Sequence, residues 1–265
     1  MGTIFVKDLT PYQKVDGNQS TLDTNDISRF ERLATEWLDE NGSFKPLHAF
    51  NQVRVPWINT ALEKRRNEKT SVKPLDGLRL LDIGCGGGIL SIPLARLGAQ
   101  VDGIDASIEA VRIAEFAASR TLTPNLRNNI TFHCVTIEDF VKTHLETYDA
   151  VIASEIIEHV SNVEMFLDCC VKACKKDGSL FFTTINKTAL SNIFAIWLAE
   201  DILRIVPRGI HDWNKFVAPE DLRKMLNDRD CRIRSVQGLA YNPLTNHWSW
   251  CTSRDVNYAL YARKC

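Results

Sequence analysis

Two regimes of apolar spacing divide this chain, and the change falls near Leu78. Upstream, Phe30, Leu33, Ala34 and Trp37 recur at helical intervals. They predict a helix over 28–38 that precedes the main sheet and covers a pocket. Gly42, Pro46 and the stretch 47–57 follow, then the charged run Lys64-Arg65-Arg66-Asn67-Glu68-Lys69. That run reads as a solvated helix end, with contact to an anionic surface as the alternative.

From Leu78 onward, short β-branched runs alternate with amphipathic segments. Strands are expected at 78–83, 100–105, 130–135, 148–154 and 179–185, and helices at 89–97, 107–119 and 163–174. Such alternation signals an α/β protein, a mostly parallel sheet with helices on both faces, because each parallel crossover returns through a helix. A last helix at 219–227 leads to strand-like runs at 231–239 and 256–262 without a helix between them, predicting an antiparallel hairpin at the sheet edge. The expected organisation is an N-terminal helical cover, 1–70, and a main domain, 71–265, with an apolar insertion at about 187–211.

Within that insertion, Leu190, Ile193, Phe194, Ile196, Trp197, Leu198, Ile202, Leu203, Ile205 and Val206 are broken by Glu200, Asp201 and Arg204. The segment is too short and interrupted to span a bilayer. Two readings stand: a helix packed inward, or an interfacial helix with Phe194 and Trp197 facing lipid.

Composition narrows the partners. Lys plus Arg number 32 against 33 Asp plus Glu, so no global positive field exists to hold a phosphate backbone, and nucleic acid is not expected as a substrate. The 265 residues, 45% of them hydrophobic, suffice for one substantial core. Eight Cys lack paired CxxC spacing, and Cys169 and Cys170 are adjacent, which suits neither a zinc site nor a regular disulfide framework. A reduced, intracellular protein is expected. Met1 to Val15 has neither the apolar core of a secretory signal nor the Arg-rich, acid-poor character of a transit peptide. Val6 and the terminal Ala262-Arg263-Lys264-Cys265 argue against lipid anchors.

The richest local chemistry lies at Leu80-Leu81-Asp82-Ile83-Gly84-Cys85-Gly86-Gly87-Gly88, a buried strand running into glycines and then a helix. Glycines allow positive φ and close backbone approach, while a helix N-terminus offers unbonded amides. A dinucleotide fingerprint needs glycine where Ile89 stands, which disfavours a nicotinamide cofactor. Asp105 ends the next strand about 20 residues on, where an acid accepts the ribose hydroxyls of a nucleoside. Tight strand-to-helix packing is the competing account of the glycines alone; Asp82 and Asp105 shift the balance to a ligand.

Ser154-Glu155-Ile156-Ile157-Glu158-His159 follows the fourth strand, at the carboxyl edge where open α/β sheets bind ligands. If the segment is helical, Glu155, Glu158 and His159 fall at i, i+3 and i+4 and project from one face. Two carboxylates and an imidazole then suit a divalent cation. Alternatively, the acids merely complement a helix dipole, with His159 as a neighbour.

These elements resemble class I methyltransferases in the Gly84 loop. From about Phe30 to the C-terminus the chain is similar to the ubiquinone biosynthesis O-methyltransferase family. The resemblance rests on Gly42-Ser43-Phe44-Lys45-Pro46-Leu47-His48, Asn51-Gln52-Val53-Arg54-Val55-Pro56, Glu155 to Val160, Thr183-Thr184-Ile185-Asn186-Lys187, residues Ile205 to Trp213, and Tyr241-Asn242-Pro243. It implies the Rossmann-like class I methyltransferase fold, with a seven-stranded sheet and an antiparallel edge. It also implies S-adenosylmethionine as methyl donor, contacted by Arg54, Gly84, Asp105 and Ser154.

By the same resemblance, Glu155, Glu158 and His159 bind magnesium or a similar cation, Glu138 lies near the adenine, and His48 and His211 line a substrate pocket. A surface acid is the other reading of Glu138, and a structural ion pair that of Arg54. The implied substrates are polyprenylated phenols, and the implied setting is the matrix face of the mitochondrial inner membrane, beside other ubiquinone biosynthesis proteins. Met1 to Val15 departs from that setting as a poor import signal.

The chemistry of such a substrate gives the cation a purpose. A phenol of pKa about 10 is mostly protonated near neutrality and is a weak nucleophile toward a sulfonium methyl. A chelated hard cation favours the phenolate; His159 as a metal-free general base is the competing mechanism. Rival functions are a class I methyltransferase of other specificity and a silent nucleoside-binding scaffold.

Overall fold

The computed structural model describes residues 37–64, 73–187 and 216–265. Eight strands build one sheet: β1 (Arg79–Ile83), β2 (Gln100–Asp105), β3 (Ile130–Cys134), β4 (Tyr148–Ser154), β5 (Cys174–Ile185), β6 (Cys231–Asn242), β7 (His247–Cys251) and β8 (Asn257–Lys264). Their order is β3-β2-β1-β4-β5-β8-β6-β7. The first five run parallel, and β8, β6 and β7 are antiparallel additions.

The α/β class and the antiparallel end are as the pattern predicts, with two corrections. The sheet has eight strands where seven were expected, because β7, a five-residue run with exposed His247 and Ser249, pairs with β6. The runs 231–239 and 256–262 do pair antiparallel, as β6 with β8, but β8 slots between β5 and β6, and β7 forms the border. Hence the true hairpin is β6–β7.

Side chains of the central strands alternate between two cores, as a doubly covered sheet requires. In β4, Val151 and Ala153 face one core with Phe166, Leu167 and Leu222, whereas Ala150 and Ile152 face the other with Val111, Leu94 and Ile58. The covering helices are α1 (Lys45–Glu63), α2 (Ser91–Arg96), α3 (Ile108–Thr121), α4 (Pro124–Arg127), α5 (Ile137–Phe140), α6 (Val163–Ala173) and α7 (Pro219–Asn227). Three of them start on side-chain caps: Ser107 Oγ accepts from Ala110 N at 3.2 Å, Thr136 Oγ1 from Asp139 N at 3.3 Å, and Asn162 Oδ1 from Met165 N at 3.0 Å.

Only Trp37 and Leu38 of the expected 28–38 helix fall among the described residues, and the 187–211 insertion lies outside them apart from Lys187. The stretch 47–57 proves to be the middle of α1, which opens with Pro46 in its first turn, where a missing N–H is harmless. Phe50 stacks on Trp248 at 4.5 Å, Trp57 meets Phe181 edge-on at 5.1 Å, and Trp248 Nε1 donates to Pro46 O at 2.9 Å. These contacts fix α1 over the sheet and carry Arg54 towards its carboxyl edge.

The strand order reverses between β1 and β4, since β2 and β3 lie to one side and β5 to the other. At such a switch point the loops leaving two neighbouring strands diverge and open a crevice. Here those loops begin at Gly84 and Glu155.

Candidate active site

The Gly84 turn owes its shape to backbone conformations that side chains resist. Gly84 has φ +70, and a Cβ there would stand 2.8 Å from Ile156 Cδ1; Gly86 has φ +51, and its Cβ would stand 2.5 Å from the Trp37 indole. The turn is therefore packed from the protein side by Ile156 of the opposite loop and by Trp37 of the cover. Trp37 itself stacks on Phe44 at 3.8 Å.

Asp105 closes the far side of the turn. Its Oδ2 accepts from Gly86 N and its Oδ1 from Ser107 N, both at 2.9 Å, so one carboxylate ties the glycines to the start of α3. Burial pushes its pKa up, opposed by those backbone donors. Deeper in β1, Asp82 accepts from Ser91 Oγ at 2.5 Å. Burial raises the Asp82 carboxyl to about 6, against the pull of Ser91 and of Arg54.

Arg54 is 4% exposed. Burial lowers its pKa to about 10, while Asp82 and Glu155 favour its charge. Its Nη1 donates to Ser154 Oγ at 2.9 Å, and its Nε to Asn51 Oδ1 at 2.7 Å. Ser154 Oγ lies 2.7 Å from Thr183 Oγ1, and the Thr183 side chain hydrogen-bonds Glu155. Because the guanidinium only donates and an ionised carboxylate only accepts, the hydroxyls point one way whenever Glu155 is ionised: Arg54 to Ser154 to Thr183 to Glu155. A directed hydrogen-bond chain thus links α1 to the loop after β4.

At the end of that chain stand two acids. Loss of solvent, and then the neighbouring Glu158, push the Glu155 carboxyl up to about 7, opposed by Thr183, Arg54 and His159. Glu158 is buried, and its Oε2 accepts from Thr184 Oγ1 at 2.6 Å. Adjacent residues of β5 thereby hold both carboxylates.

The predicted helical trio does not form. Glu155 has φ +56, and only a single 3₁₀ turn, Ile157–His159, follows it. The backbone reverses before any i, i+3, i+4 face is built. Among the described residues no group of three or more His, Cys, Asp or Glu is arranged to hold a metal. Two mutually repelling carboxylates nonetheless suit a hard divalent cation, and magnesium binds commonly through one or two carboxylates with water completing its shell.

The switch point, the glycine turn and the acid closing it are features able to hold a nucleoside, and comparison with known proteins decides the family. The Methyltransferase domain family profile matches residues 32–236. A mitochondrial ubiquinone biosynthesis O-methyltransferase of Rattus norvegicus is 42% identical over 251 residues, spanning 95% of this chain and 72% of that relative. Its counterpart in Rhizobium etli is 41% identical over 250 residues, 94% of this chain and 98% of the relative. The chain belongs to the ubiquinone biosynthesis O-methyltransferase family.

It is accordingly an S-adenosylmethionine-dependent O-methyltransferase. Its fold is that of the magnesium protoporphyrin IX methyltransferase from Synechocystis PCC 6803 with S-adenosylhomocysteine bound, with a TM-score of 0.61 at 22% identity, covering 91% of this chain and 95% of that one. Relatives in this family come from mitochondria and from bacteria.

Of the residues singled out in the methyltransferase sequence, the structure brings Arg54, Ser154 and Glu155 into one hydrogen-bond chain, with Glu158 beside it, and sets Gly84 and Asp105 across the switch point. Glu138 is buried near Cys169 and Cys170 of α6, which corrects its reading as a surface acid. His48 Nε2 meets Trp37 O at 3.0 Å and so holds the cover segment; His211 lies outside the described residues. Sequence reasoning assigned no role to Asn51, Ser91, Thr183 and Thr184. Hydroxyls that follow the apolar run Leu180-Phe181-Phe182 at the carboxyl end of β5, as in Thr183-Thr184, were the available signal.

Proposed function

We propose that this enzyme methylates phenolic hydroxyls of polyprenylated rings in ubiquinone biosynthesis, taking dihydroxybenzoate and demethyl-ubiquinol intermediates as substrates. The observation that carries the reading is the chain from Arg54 through Ser154 and Thr183 to Glu155, which couples the donor side of the crevice to a carboxylate pair. The names of the family's relatives support the pathway.

In this reading Asp105 takes the ribose hydroxyls, the Gly84 turn the amino-acid part of the donor, and Arg54 the donor carboxylate, for which a guanidinium offers paired N–H groups. Ser154 completes the contact. Glu155 and Glu158 hold a divalent cation, most suitably magnesium, with His159 as a further ligand or as the base that takes the phenolic proton. When bound, the cation acts as a Lewis acid that favours the phenolate. Arg54 and the two threonines keep the carboxylates aimed, and the buried wall of the crevice limits water around the nucleophile.

The polyprenyl tail requires a membrane, and the apolar insertion at 187–211 supplies lipid-facing Phe194 and Trp197 in this reading, at the matrix face of the inner membrane and among other ubiquinone biosynthesis proteins. Among the described residues no helix is long and apolar enough to cross a membrane. Flotation with anionic liposomes should recover the wild type and lose the folded Phe194→Asp, Trp197→Asp double variant; equal recovery excludes the interfacial role.

The decisive test is calorimetric binding of S-adenosylmethionine with and without a chelator, beside turnover of catechol-bearing polyprenyl benzoates and demethyl-ubiquinol. Donor binding that survives chelation, with turnover lost, is the expected result. No affinity for the donor or its demethylated product overturns the reading.

A further inference from the structure

Arg54 is aimed by more than its own helix. Its Nε donates to Asn51 Oδ1 at 2.7 Å, three residues earlier on α1. The amide of Asn51 faces both ways, and its Nδ2 donates to the backbone oxygen of Ile89 at 2.7 Å. Ile89 immediately follows the last glycine of the turn. One side chain therefore bonds the guanidinium and the glycine turn at the same time.

This double bond has a directional consequence. A guanidinium can meet a carboxylate through its Nε edge or through its two Nη groups. With Nε committed to Asn51 and one hydrogen of Nη1 to Ser154, rotation of the group is stopped at two points, and Nη2 with the second hydrogen of Nη1 remains for an incoming carboxylate. Because the Arg54 cation is buried, small changes in its direction are not averaged out by solvent.

We propose that Asn51 is a positioning residue for the methyl donor: it locks Arg54 against the glycine turn so that the guanidinium receives the donor's carboxylate. The proposal rests on the reading that Arg54 binds that carboxylate. It concerns a group whose amide is taken up by Arg54 and the Ile89 carbonyl.

Two ligands separate this role from general support of the turn. S-adenosylhomocysteine carries the amino-acid tail, whereas 5′-methylthioadenosine keeps the nucleoside and thioether without it. Calorimetric titration should show Asn51→Ala weakening S-adenosylhomocysteine about tenfold, as loss of an oriented charge-assisted bond predicts. Binding of 5′-methylthioadenosine should stay unchanged. In turnover, KM for S-adenosylmethionine should rise with kcat little altered, and Asn51→Ala should add nothing in an Arg54→Ala background.

Equal weakening of both ligands by Asn51→Ala, or of neither, overturns the proposal while Arg54→Ala still loses the tailed ligand. Arg54→Ala that keeps full affinity for S-adenosylhomocysteine removes the carboxylate reading itself, and the proposal with it. Should Asn51→Ala fail to fold, Asn51→Ser is titrated against the same pair, since the ratio of the two affinities reports on the folded protein alone.

Discussion

Thr184 donates its hydroxyl to Glu158 Oε2 at 2.6 Å from the fully buried end of β5. A buried carboxylate oxygen that loses its donor is left with a desolvation penalty of about 1–3 kcal/mol. Thr184→Val keeps the shape of the side chain and removes the donor. It should therefore lower stability by about that amount in urea denaturation, and lower turnover with donor affinity retained. Unchanged turnover in the folded variant would mean that the aim of Glu158 is irrelevant to the chemistry.

The two sides of the crevice should also fail differently. Asp105 bonds the glycine turn and the start of α3, whereas Glu158 belongs to the loop after β4. Asp105→Ala is expected to weaken donor binding by at least about tenfold, or 1.4 kcal/mol. Glu158→Ala should spare the donor and reduce kcat. Calorimetry with S-adenosylhomocysteine on both variants checks the division, and equal loss of donor affinity in both would dissolve it.

Local pattern carried much of this architecture. The bounds of β2, β4 and α7 coincide with the predicted 100–105, 148–154 and 219–227, because each is a short apolar or amphipathic run closed by Asp, Ser or Pro signals. Long-range pairing was harder to read. β7 alternates as His247-Trp248-Ser249-Trp250-Cys251, and only its pairing with β6 and the stacking of Phe50 on Trp248 make it a strand. At the site, Asp105 stood out by residue type and Arg54 only through the family resemblance, and Glu155 was expected on a helix face. Its positive φ follows from the loop folding back towards β5, where Glu155 N donates to Thr183 O at 2.9 Å, a tertiary bond that no periodicity announces.

Asp82 gives a pH signature. Burial, opposed by Ser91 and Arg54, raises its pKa from 3.8 to about 6, so the folded chain holds its proton more tightly than the unfolded chain does. Stability from this group is thus fully present well below pH 3.8 and is lost as pH rises from there through about 6. Relative to Asp82→Asn, which cannot titrate, the wild type should lose about 2 kcal/mol between pH 4 and pH 7. Urea denaturation of both proteins across that range measures the difference. A difference flat with pH would show that Asp82 ionises in the fold as it does in the open chain.

Glu155 is expected to trade stability for activity. Its backbone sits at φ +56, where a side chain with a Cβ is strained by about 1–2 kcal/mol, and asparagine tolerates this region better than glutamate. Its carboxyl is also held near 7 by burial and by Glu158, so near neutral pH it is ionised only about half the time. Strain of this kind persists where surrounding structure imposes it, and it concentrates at functional sites. Glu155→Asn should therefore melt at or above the wild-type temperature, with a gain of up to about 1 kcal/mol, while turnover falls roughly tenfold or more, as loss of one oriented carboxylate implies. Thermal melts beside methyl-transfer rates decide it: a variant both less stable and fully active would mean that the left-handed turn serves packing, with the carboxylate incidental to the reaction.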